Sequence, residues 1–143
     1  MQSPRQVNSD VPASNTMNPY EEIESRLESA TSLDELTRVL DILLFEGYSV
    51  WSDGSLINIK QLVARVGKLK IEIFPREHPP PHFHVSADNI DATFSLADCS
   101  LINGRITGRE RNLVEWWYER SRPLLVKTWN ETRPTDCPVG PIA

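Results

Sequence analysis

A chain of 143 residues is long enough for one domain with a real core and an appendage. Its 39% hydrophobic and 24% charged residues are ordinary for a globular protein, and a net charge of −5 with a pI near 5.2 argues against a general nucleic-acid-coating role while leaving room for a local basic patch. No apolar run approaches the roughly 18 residues of a membrane span, and Met1 to Thr16 lacks the apolar core of a signal peptide, so a cytoplasmic location without membrane contact is expected. Cys99 and Cys137 stand far apart and form no CxxC, which reads as free thiols.

Residues 1–17 are polar, rich in Ser, Asn, Pro and Gln, and are expected to be disordered. Asn18-Pro19 with Glu21 is a helix start, with Ile23 and Leu27 on one face. Ser32 with Glu35 is a capping box for a second helix whose stripe is Leu36, Val39, Leu40, Leu43 and Leu44, stopped by Gly47. The pair predicts an αα-hairpin over about 19–30 and 33–46, a packing face or a surface for a partner or a second copy. Ser49-Val50-Trp51 and Ser55 to Ile59 flank Ser52-Asp53-Gly54, a β-hairpin signal. Lys60 to Val66 fits either a helical turn or a strand. Leu69, Ile71 and Ile73 alternate with Lys68, Lys70 and Glu72 in a half-buried strand closed by Pro75.

The next stretch, His78-Pro79-Pro80-Pro81-His82-Phe83-His84, holds every histidine of the chain and three of its eleven prolines. The prolines make a stiff extended rod, because each fixes φ and lacks an N–H. The rod enters a strand in which His82 and His84 share one face while Phe83 and Val85 share the other. Three readings are open. His82 and His84 could chelate a divalent metal such as Zn or Mn, completed by His78 or by a carboxylate such as Glu77 or Asp91. One imidazole could act as general base and another as general acid. Or the histidines could hydrogen-bond neighbouring loops while the prolines shape a turn.

Ala87-Asp88-Asn89 turns into a strand from Ile90 to Leu96, with Ala92, Phe94 and Leu96 facing the core; Ser100-Leu101-Ile102 then runs to a turn at Asn103-Gly104. Thr107 with Glu110 caps a helix through Leu113, Val114, Trp116 and Trp117 to about Glu119. Pro123 is expected to open a new helix capped by Ser121, with Leu124, Leu125, Val126 and Trp129 as its stripe. An irregular tail follows over 133–143, and sequence leaves open whether Cys137 nears the histidines. The predicted fold class is α+β: a small antiparallel β-meander packed against C-terminal helices, preceded by an αα-hairpin and a β-hairpin.

The strings Gly67-Lys68-Leu69-Lys70-Ile71-Glu72-Ile73-Phe74-Pro75, Glu77-His78-Pro79-Pro80-Pro81-His82-Phe83-His84-Val85 and Leu113-Val114-Glu115-Trp116 through Trp129-Asn130 resemble the small prokaryotic family DUF4160. The resemblance covers roughly half of the chain and implies a DUF4160-like α+β domain over 61–132, after an extension over 18–60. It also implies a toxin–antitoxin or defence setting and a small DUF2442-like partner. Three functions follow as expectations. One is a small ribonuclease-like hydrolase using His82 and His84, with His78 as auxiliary and Lys68, Lys70 and Arg76 on the phosphates of a nucleic acid. The second is a non-catalytic interaction module, with homo-oligomers through residues 19–46. The third is a metal-binding protein holding its ion through His82 and His84.

Overall fold

The computed structural model describes residues 19–58, 68–73 and 80–132. In chain order the elements are α1 (Pro19–Ser29), α2 (Leu33–Phe45), β1 (Tyr48–Val50), β2 (Leu56–Asn58), β3 (Lys70–Ile73), β4 (His82–Ala87), β5 (Ile90–Ser95), β6 (Leu101–Arg105) and α3 (Gly108–Thr132). The architecture is α+β, as the sequence predicts. Strands β1 and β2 make an antiparallel hairpin, and β3 to β6 make an antiparallel sheet in sequential order, a meander. The expected disordered N-terminus, the Asn18 cap, the ambiguous Lys60 to Val66 stretch and the tail lie outside the described residues.

Local signals set the helix starts. The backbone N–H of Glu35 donates to Ser32 Oγ at 3.2 Å, and Glu35 Oε1 accepts from the N–H and hydroxyl of Thr31, each at 2.9 Å. Those two bonds hold the Glu35 carboxyl below its usual pKa. Thr107 and Glu110 close a reciprocal box at the start of α3, at 3.2 and 3.0 Å. At the far end of α2, Gly47 takes φ +87°, the left-handed conformation that releases the chain from a helix.

The core lies between the inner face of the meander and the helices. Phe83, Val85, Ala92, Phe94 and Leu96 are fully buried from the sheet, and Leu36, Leu40, Leu43, Leu113, Trp117 and Leu125 from the helices. Phe83 stacks on Phe94 at 5.4 Å and on Tyr118 at 6.1 Å, with Trp117 tilted beside it. The αα-hairpin is part of this core. Trp117 Nε1–H donates to Leu36 O at 2.8 Å, Arg109 donates to Leu44 O and Tyr48 O, and Arg120 pairs with Glu24 at 2.7 Å. The apolar stripe of α2, read in the sequence as a packing face or a contact with a second copy, is consumed within the chain, leaving any such contact over 19–46 to the other faces of the hairpin.

Two expectations are corrected. The C-terminal region is one helix of 25 residues with Pro123 inside it, not two helices separated at Ser121. Pro123 and Glu119 are both exposed, so the proline ring lies on the solvent side, where water can take the bond that Pro123 cannot give to the Glu119 carbonyl. Leu113, Trp117, Ser121, Leu125 and Trp129 continue in four-residue steps on the buried side, and that burial outweighs the proline penalty. Ser121 therefore caps nothing; its hydroxyl is buried with no hydrogen-bond partner among the described residues.

The second correction concerns Asn103-Gly104, which lies within β6 rather than in a turn. Asp91 pairs with Arg105, Ala92 with Gly104 and Thr93 with Asn103, and then the register slips so that Phe94 meets Leu101, leaving Ile102 as the extra residue of a bulge. Gly104 sits at φ +115°, and a Cβ there would stand 2.1 Å from Asp91 O. The glycine serves a close backbone approach, not a reversal.

Candidate functional site on the polar face of the sheet

One face of the meander is polar by its register. Strand β4 has Phe83 and Val85 in the core, so His82, His84 and Ser86 project to the other side, as the period of two predicts. Pairing lays Glu72, His84, Thr93 and Asn103 across the sheet in one row, and Lys70, Ser86, Asp91 and Arg105 in the next. His82 pairs with Ser95 at the end nearer the prolines.

The two imidazoles are held differently. His82 is buried, and its Nδ1 lies 2.9 Å from Pro80 O. A carbonyl only accepts, so Nδ1 carries the proton. Pro80 thus orients a ring, and next to it Leu96 N–H donates to Pro81 O at 2.9 Å. His84 is partly exposed, and its Nε2–H donates to Asp91 Oδ1 at 2.6 Å, a short charge-assisted contact. The Asp88-Asn89 turn fixes Ala87 opposite Ile90 and Ser86 opposite Asp91, which puts Asp91 diagonal to His84 and within reach. With Nε2 engaged by the carboxylate, Nδ1 of His84 is its acceptor atom.

Of the phosphate-binding candidates, Lys68 and Lys70 are exposed, and Lys70 lies in the row of Ser86 and Asp91. His78, Arg76 and Glu77 lie outside the described residues, as does Cys137. The structure adds Glu72 and Arg105, the cross-strand partners of His84 and Asp91. Sequence reasoning missed Arg105 because the supposed Asn103-Gly104 turn removed it from the sheet; only the bulge register returns it. Among the described residues, no group of three His, Cys, Asp or Glu side chains is placed to hold a metal ion. Cys99 is no nucleophile at neutral pH: burial, and then the Glu115 carboxylate, push its thiol up to about 12.

Residues 69–130 match the family described as Domain of unknown function (DUF4160). This segment is a DUF4160 domain. Among curated proteins and solved structures, none matches the chain. The DUF4160 segment spans the whole meander and nearly all of α3, including His82, His84, Asp91 and Arg105. The helical hairpin and β1–β2 precede it, so the helices that complete its core through α3 come from outside the matched residues. Among the described residues no helix is long and apolar enough to cross a membrane.

Proposed function

We propose that the protein is a small histidine-dependent hydrolase of RNA phosphodiesters, serving a toxin–antitoxin or defence system, with the polar face of its DUF4160 sheet as the active surface. The observation that supports this most is the 2.6 Å contact from His84 Nε2 to Asp91 Oδ1, a carboxylate that fixes the tautomer and orientation of an imidazole. His84 Nδ1 takes the proton of a ribose 2′-hydroxyl, and the freed oxygen attacks the adjacent phosphorus. The bond to the 5′ oxygen breaks, and the His82 imidazolium gives a proton to that leaving oxygen. The products are a 2′,3′-cyclic phosphate and a 5′-hydroxyl. Two residues apart on one strand, the rings start about 7 Å apart, enough to straddle one phosphate.

Lys68, Lys70 and Arg105 supply local positive charge that a chain of net charge −5 otherwise lacks. Arg76 and His78 join the proposal on sequence grounds, as a further phosphate contact and an auxiliary acid. The cognate partner in such a system is a small protein that blocks this face.

The test is cleavage of a 5′-labelled single-stranded RNA by untagged protein, with product ends identified. His84→Ala and His82→Ala are each expected to lose at least about 100-fold in rate, the usual worth of a positioned acid or base, and Asp91→Asn somewhat less. Equal cleavage by wild type and His84→Ala, or no cleavage by either, would reject the reading. Metal content of wild type against the double variant His82→Ala/His84→Ala decides whether a Zn or Mn ion belongs in the chemistry. One ion per chain, lost in the double variant, would replace the acid–base scheme with a metal-assisted one. Partner binding that survives all histidine substitutions, without cleavage, would instead favour an interaction module.

A further inference from the structure

The hairpin β1–β2 leans on α3 and leaves Trp51 59% exposed, more than the other large exposed hydrophobics among the described residues, Tyr20 and Ile102. An indole that open is costly to leave in water and is the side chain most often found anchoring an interface. It lines a cleft of about 320 Å³ together with Val50, Gly54, Trp116, Glu115 and Glu119. A second cleft, of about 240 Å³, shares Gly54 and Trp116 and continues the surface to Tyr20, Glu21 and Glu24 of α1.

The charge of this surface is one-sided. Among the described residues that line the two clefts are the carboxylates of Glu24, Glu115 and Glu119 and the guanidinium of Arg120. That cation is already spent: it lies 3.9 Å over the Trp116 ring, donates to Glu24 Oε2 at 2.7 Å and stands 3.6 Å from Glu119. Arg111, beside the cleft, reaches Glu115 at 3.5 Å. The arrangement already contains one cation lying on a tryptophan face among glutamates, and Trp51 offers a second tryptophan face with Glu115 and Glu119 beside it and, among the described residues, no cation on it.

We propose that this surface docks a basic segment of a separate protein, with an arginine or lysine of that segment on the face of Trp51 and its charge met by Glu115 and Glu119. A second copy of this chain is a poor occupant, because it would bring a net −5 against an acidic cleft. A nucleic acid is excluded on the same ground. The surface joins residues before the DUF4160 segment, Trp51 and Gly54, to helix α3 within it, so it exists only because the two are combined in one fold. It is separate from the polar face of the sheet.

The test uses the full chain and two fluorescein-labelled 12-residue peptides of matched length: one alternating arginine or lysine with leucine and alanine, the other with glutamate in the basic positions. The basic peptide is expected to raise anisotropy saturably, shift the Trp51 indole N–H resonance, and lose affinity as salt rises. Trp51→Ser and the pair Glu115→Gln/Glu119→Gln are each expected to weaken binding at least 10-fold. Trp51 is exposed, so its removal leaves the fold intact, which circular dichroism checks. His84→Ala is expected to bind as wild type does. The proposal is overturned if the basic peptide does not bind, if it binds equally to the Trp51→Ser protein, or if both peptides bind alike. It is overturned too if sedimentation shows self-association that Trp51→Ser abolishes, since the occupant is then a second copy.

Discussion

At Gly104 a methyl group has nowhere to go. Its nearest neighbours are backbone atoms of β5, Asp91 O and Ala92 Cα, and backbone cannot swing aside as a side chain can. Gly104→Ala is therefore expected to cost about 3 kcal/mol or more, combining a forbidden φ with an overpacked contact, and to shift the urea midpoint accordingly. The loss propagates to the candidate site, because Asp91 is the residue displaced. Cys99 makes a different statement at the same scale. Its thiol is neutral in the fold up to about pH 12, whereas an exposed thiol ionises near its ordinary value of 9.0. Below pH 9 both states keep the proton and the full contribution to stability is present; between about 9 and 12 only the unfolded chain ionises, and stability is lost. Two outcomes follow. Iodoacetamide at pH 8 is expected to leave Cys99 unmodified until the protein is unfolded, as read by peptide mass spectrometry. A Cys99→Ala protein is expected to lose less stability than wild type across that alkaline window.

Elements whose signals are local were legible in the sequence, and those decided by packing were not. Both capping boxes, Ser32 with Glu35 and Thr107 with Glu110, were readable because every atom they need lies within four residues. The meander was readable because its strands alternate cleanly and its loops are short. Pro123 misled because its local penalty is real but smaller than the burial of Leu125 and Trp129 on the far side of the same helix. Replacing it restores an N–H opposite the Glu119 carbonyl, so Pro123→Ala is expected to stabilise the protein by about 1–3 kcal/mol, seen as a higher Tm. Asn103-Gly104 misled because an Asn-Gly pair signals a turn unless a neighbouring strand presses on the glycine, which no single-strand reading contains. The candidate site was half legible. The shared face of His82 and His84 follows from strand periodicity, while the pairing of His84 with Asp91 needs a register, and the place of Arg105 needs a bulge.

For the molecule as a whole, the residues before the DUF4160 segment supply one side of its helical layer. Trp117 is fully buried with its indole bonded to Leu36, and α3 packs on both α1 and α2. A chain lacking residues 1–46 would expose that side of α3, at roughly 1.5–3 kcal/mol for each large side chain returned to water. It is expected to lack a cooperative thermal transition and near-ultraviolet dichroism, whereas the full chain shows both. An independently folding truncated chain would mean that the helical hairpin is dispensable to the core.

That bond from Trp117 to Leu36 also has a meaning in time. The two residues lie 81 apart, and the helix carrying Leu36 is finished long before the helix carrying Trp117. At ribosomal speeds of about 5–20 residues per second, the leucine stripe of α2 must wait roughly 4 to 16 seconds for its cover to be made. During that interval the nascent chain presents an uncovered apolar helix to whatever chaperones stand at the exit tunnel. Stalled chains ending before Gly108 are expected to be cut rapidly within residues 33–45 by a protease, and chains extended past Thr132 and clear of the tunnel are expected to resist it.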